Sequence, residues 1–202
     1  MFTSLKNECR HLIATVVNYI FSGGETIDPS RVYFFDETHL NFETGGRDYG
    51  RADSGLACPS FRETGRTGKY STLAVCGFTE GVIPAIAVAG TLAAELVTEM
   101  IENQVLPLLP RNSFLVADNA RVHNEVALRR ILARKNITLD ELPDYSYDLN
   151  PIEMVFGLVK PIARFSPGLL RTNPMLAIIN AFEQVRPINV RNLYKRSWGV
   201  FV

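Results

Sequence analysis

Three acidic residues stand where an acid needs a reason. Asp36 follows the apolar run VYFF, Asp118 follows FLVA, and Glu153 is the third residue of a helical pattern opened by Asn150 and Pro151. An acid that finishes an apolar strand is partly desolvated, and two such acids side by side need a cation. Each has a simpler explanation taken alone. Aspartate is common in turns, and Asn150, Pro151 and Glu153 come close to a capping box. Capping leaves their spacing unexplained. Between Asp118 and Glu153 lie 34 residues, room for a helix, a strand and a loop that return the next helix start to the first strand's end. This works only if the strands of Asp36 and Asp118 are neighbours. Polar groups at strand ends of an open α/β sheet then face the ligand crevice.

The elements that would position these acids are legible in the hydrophobic pattern. Short β-branched and aromatic runs predict strands over 31–36, 70–78, 82–89, 113–118 and 137–142. Residues 39–42 either extend the first strand or begin a loop. Apolar residues at helical spacing predict helices over 91–109, 122–135, 152–164 and 174–185. Three strands precede the first helix, and a turn at Gly81 joins the second to the third, so the first three are expected to be antiparallel within a mixed α/β sheet. The order divides the chain into a linker or remnant (1–30), a main domain (31–165) and a helical tail (166–202). A glycine-rich, aperiodic loop over 43–69 interrupts the main domain, and loops of that length are often functional. Pro161 is expected to end or kink its helix early.

Composition excludes several classes. The chain has 202 residues, 47% hydrophobic and 21% charged, with no net charge when histidines are neutral. That supports one sizeable core. The charge balance lacks the overall basicity usual in nucleic-acid binders. Cys9, Cys58 and Cys76 are scattered, without a CxxC pair, which argues against zinc or a disulfide framework and for a reducing, intracellular setting. No apolar run reaches membrane-spanning length, so no membrane partner is expected. The opening residues do not make a signal peptide.

Asp36 in FFDET, Asp118 in LVADNARVH and Glu153 in LPDYSYDLNPIE resemble the three acids of the mariner-type transposases. That group belongs to the DDE transposase and integrase superfamily, whose catalytic fold is ribonuclease-H-like. The likeness runs over roughly residues 32–160, its third motif is the most specific, and the 34-residue spacing matches the glutamate-bearing (DD34E) branch. The resemblance implies a five-stranded mixed sheet flanked by helices, with Asp36, Asp118 and Glu153 holding two magnesium or manganese ions. All-oxygen ligands suit those metals better than zinc. It implies DNA cleavage and transfer of 3′ ends, with transposon ends and target DNA as partners, and a homodimer. The loop over 43–69 resembles a clamp that reaches a partner subunit or its DNA. Arg47, Arg51, Arg62, Arg66 and Lys69 would meet phosphates there, the alternative being a solvated surface loop. Arg191, Lys195 and Arg196, which follow the last acid, Glu183, are a second candidate DNA contact.

Asn119 and His123 are possible accessory residues, with a structural role the alternative for His123. His39 is near Asp36 without a role. Glu37 should face away from Asp36. Asp144 and Asp148 rival Glu153 as third ligand. The mariner-type proteins carry helix-turn-helix domains ahead of the catalytic domain, and residues 1–30 are too few for them. A fragment, an excised catalytic domain or a descendant without its targeting part is therefore expected. The compartment would be nuclear in a eukaryote and cytoplasmic otherwise. Two other functions stay open: a nuclease of the same fold, and a non-catalytic DNA- or protein-binding domain derived from a transposase.

Overall fold

The computed structural model describes residues 28–41, 52–56, 68–118, 124–142 and 147–198. Five strands form one sheet: β1 (Val32–Asn41), β2 (Lys69–Gly77), β3 (Gly81–Ala89), β4 (Phe114–Ala117) and β5 (Thr138–Glu141), in the order β3-β2-β1-β4-β5. The first three are antiparallel, as expected, while β4 runs parallel to β1 and β5 parallel to β4. Gly81, at φ +84°, closes the β2–β3 turn in a conformation that side-chain-bearing residues rarely adopt.

Side-chain alternation along β1 sends alternate residues to two cores. Tyr33 and Phe35 point to one face, with Leu73 and Val75 of β2 and Leu115 and Ala117 of β4. That face is covered by α1 (Ala94–Met100), its continuation Ile101–Val105, and α2 (Glu125–Leu132). Val32 and Phe34 point to the other face, with Ala74, Cys76 and Val116. It is covered by α3 (Pro151–Arg164), α5 (Pro174–Glu183) and α6 (Pro187–Trp198), with the short α4 (Pro167–Thr172) beside them. Each of these four helices opens on a proline, whose missing N–H is not needed at that position.

Several boundaries differ from expectation. β1 does not stop at Asp36, and of the two readings of residues 39–42 the extension of the strand is the one found. It runs on to Asn41 because β2 keeps pairing with it, from Asp36 opposite Ala74 to Asn41 opposite Lys69, while Thr38 and Leu40 stay buried. The first helix begins at Ala94, three residues later than expected, and widens over Ile101–Val105, where Leu106 N–H donates to Ile101 O at 2.8 Å. Pro161 does not break α3, which continues to Arg164. The hydrogen bond it forfeits is to the carbonyl of Gly157, on the exposed side, and the helix ends within the next turn. The tail helices are not peripheral in packing. Ile178, Phe182, Val190, Tyr194 and Trp198 form much of the α3-side core.

Candidate active site

The ladder between β1 and β4 ends at Phe35 opposite Ala117. The next residues are Asp36 and Asp118, so the two aspartates flank the point where these parallel strands part. By alternation both lie on the face of Phe34 and Val116, the face that α3 covers. Asp36 is 8% exposed, whereas Asp118 and Glu153 are exposed.

Glu153 reaches the same place through a local device. Asn150 caps α3, its Oδ1 accepting from Ile152 N–H at 3.3 Å, and Pro151 occupies the first helical position. Ile152, Val155, Phe156 and Val159 are buried against the sheet. This anchors one side of the helix and leaves Glu153 at the rim of its first turn. The dipole at a helix N-terminus favours an ionised carboxylate there.

Asp36 senses the other two acids. Burial pushes the Asp36 carboxyl up to about 7, the negative charges of Glu153, Glu37 and Asp118 push the same way, and a hydrogen bond from Glu37 N–H to Asp36 Oδ1 (2.7 Å) opposes them. A buried carboxylate raised by burial and by like charges would be held ionised by a cation, and an all-oxygen donor set fits a hard divalent one. Among the described residues, no three acidic, histidine or cysteine side chains are already drawn together into a metal cluster.

Other expected residues fall elsewhere. Arg47, Arg51, Arg62, Arg66, Asn119, His123 and Asp144 lie outside the described residues. Lys69 is exposed at the start of β2. Arg191, Lys195 and Arg196 are on α6, whose Tyr194 reaches Val32 O, at the end of β1 away from Asp36. Arg191 is half-buried with its guanidinium 5.4 Å from the centre of the Phe78 ring, so it packs against the fold. Asp148 sits in the short turn Tyr147–Leu149 that leads into Asn150. Two residues had no role in the sequence reading: His39, three residues along β1 from Asp36 and on the opposite face of the sheet, and Lys160, two helical turns along α3 from Glu153. The i+7 spacing to Glu153 was the available signal for Lys160.

A mixed sheet in this order, flanked by helices and carrying acids where its two central parallel strands separate, is a ribonuclease-H-like fold. The chain belongs to the DDE superfamily endonuclease family, whose profile matches residues 31–166. Solved structures with the same fold include a pre-cleavage Mos1 transpososome, at 15% identity and TM-score 0.58, covering 96% of this chain and 63% of that one. The Mos1 strand transfer complex matches at 17% identity and TM-score 0.59, covering 96% and 62%. The Mos1 transposase catalytic domain with raltegravir and manganese matches at 14% identity and TM-score 0.53, covering 96% and 94%. The chain thus spans about three fifths of the Mos1 chains in the first two assemblies. No curated protein sequence matches it.

Proposed function

We propose that this chain cleaves DNA strands and transfers the freed 3′ ends, as the catalytic domain of a mariner-type transposase of the DD34E branch. The observation that supports the reading is the burial of Asp36 just past the last β1–β4 pairing, where the charges of Glu153 and Asp118 act on its carboxyl, in a chain of the DDE family. Asp36, Asp118 and Glu153 would hold two magnesium or manganese ions. Such ions supply an activated oxygen nucleophile and neutralise charge on the leaving oxygen.

The chain's own residues set the rest. Asp36 is fixed by burial and by the Glu37 N–H, so it forms the rigid wall of the site. Asp118 and Glu153 are exposed and leave the opposite side open to a phosphodiester. Lys69 lies on the same end of the sheet and suits backbone contact. The partners would be transposon ends, target DNA and a second copy of the chain, in the nucleus of a eukaryote or the cytoplasm otherwise.

The test is cleavage of labelled duplex with magnesium or manganese, comparing wild type with Asp118→Asn. Loss of activity by more than about a hundredfold, with unchanged thermal unfolding, is expected for a residue at the reacting centre. Equal cutting by both proteins would defeat the assignment. Products joined to a second duplex would separate a transposase from a nuclease, which leaves only hydrolysed ends.

A further inference from the structure

β3 is one edge of the sheet, and among the described residues nothing pairs with its outer side. Its nine residues, GVIPAIAVA, carry no charge and no hydrogen-bonding side chain, and Ile83 to Val88 are only half-buried. Edge strands are commonly blunted by charge, by proline or by being short. The other edge, β5, is four residues long and carries Asp140 and Glu141. β3 has only Pro84, beside the register shift that faces Ala74 to Cys76. From Ala85 to Ala89 its pairing is regular.

The alternation of the β2–β3 ladder tells which backbone groups of that run are free. Gly90 N–H donates to Lys69 O at 2.7 Å, one position beyond the pair of Tyr70 with Ala89. Bonded and non-bonded pairs alternate in an antiparallel ladder. Ile86 and Val88 therefore bond to β2, while Ala85, Ala87 and Ala89 turn their N–H and C=O groups outward. A second β3, laid antiparallel about a twofold axis at Ala87, matches this set to itself. Ala87 meets its own counterpart, and Ala85 and Ala89 meet each other, giving about six hydrogen bonds. Ile86 falls opposite the second copy's Val88 in a close, apolar, non-bonded pair. The strand carries no charge, so the pairing brings no like charges together.

The area suffices. Nine residues make an edge about 30 Å long. A contact about 20 Å deep, reaching the inner sides of the flanking helices, covers roughly 600 Å² per copy, about 1,200 Å² in all, where specific dimers begin. α5 and α6 pack against β3 and add exposed Met175, Leu176 and Ile188 to the apolar surface on that side of the sheet.

We infer that two copies of this chain join β3 to β3, forming one continuous ten-stranded sheet. The pairing is closed, because it uses the long edge of each copy and leaves only the short, acidic β5 outermost. It sets both Asp36 residues on the same face, roughly 24 Å apart across the strands. The inference gives a surface to the second copy proposed above but rests on strand geometry alone.

The experiment is amide hydrogen exchange of the full chain, with sedimentation, from about 1 to about 300 μM and without DNA or metal. The N–H groups of Ala85, Ala87 and Ala89 should gain about tenfold protection as the mass doubles, while those of Ile86 and Val88 stay protected throughout. Ala87→Pro removes only an outward N–H, which an edge strand tolerates, and should weaken association about tenfold or more. Ala87→Ser keeps the N–H and should dimerise as wild type does. A monomer at every concentration, or a dimer with those three amides still exchanging freely, would overturn the pairing. So would protection of the three amides in the monomer, which would mean that another segment of the same chain lies on the edge. None of these outcomes touches the catalytic reading, since neither DNA nor metal is present.

Discussion

Replacing Asp36 by asparagine is expected to stabilise the metal-free protein at neutral and alkaline pH. Asp36 sits behind β1 at 8% exposure, and burial first, then the charges of Glu153, Glu37 and Asp118, push its carboxyl up to about 7 from an ordinary 3.8. The folded state therefore binds this proton more tightly than the unfolded state. The stability that goes with it is complete below pH 3.8, falls as pH rises, and is gone above about 7. At about 1.4 kcal/mol per tenfold, holding Asp36 ionised in the fold costs up to about 4 kcal/mol, and roughly half that after local relaxation. Asparagine keeps an Oδ1 to accept from Glu37 N–H and carries no charge to desolvate. In chelator at pH 8, the variant should melt roughly 4–8 °C above wild type, since about 1 kcal/mol is worth about 2–4 °C in a domain of this size. The gap should close as pH falls toward 4. Manganese should raise the melting point of wild type and leave the variant unchanged. An Asp36→Asn protein no more stable than wild type at pH 8 in chelator would refute the reasoning.

Tyr194→Phe should cost about 1–2 kcal/mol in urea unfolding with an unchanged m-value, because the hydroxyl serves Cys76 O at 2.8 Å and Val32 O at 3.1 Å inside the core; a change near zero would show that water already satisfies those carbonyls. Gly77→Ala should cost roughly 1–3 kcal/mol by the same assay, since its Cβ would stand 2.5 Å from Tyr33 Cε1 and 2.7 Å from Glu80 Oε2. It should also disturb the hydrogen bond from Tyr33 OH to Glu80 Oε1, and a fully stable variant would mean that β2 shifts easily.

The three acids stand out in the sequence because their types and spacing constrain chemistry more than folding. FFDET, VADNA and LNPIE each mark a boundary in the hydrophobic pattern. What the pattern could not convey was where β1 ends. Asp36 looks terminal because the apolar run stops there, yet Thr38 and Leu40 keep alternate positions buried and β2 keeps its pairing. The end that matters is the last pairing with β4, a property of two distant segments. Pro161 misled for a related reason. A proline breaks a helix when the lost bond is in the interior, but here it falls one turn from the end.

The hydroxyl of Tyr194 closes onto β1 across 162 positions of chain. During translation, at roughly 5–20 residues per second, β1 waits about ten to thirty seconds for the helix that seals its underside. Until α6 emerges from the ribosome, Phe34, Cys76 and the VYFF run lack much of their cover. Synthesis in the cell should therefore lean on chaperones that hold extended apolar strands, and release stalled before Tyr194 should yield insoluble product rather than a shorter working enzyme.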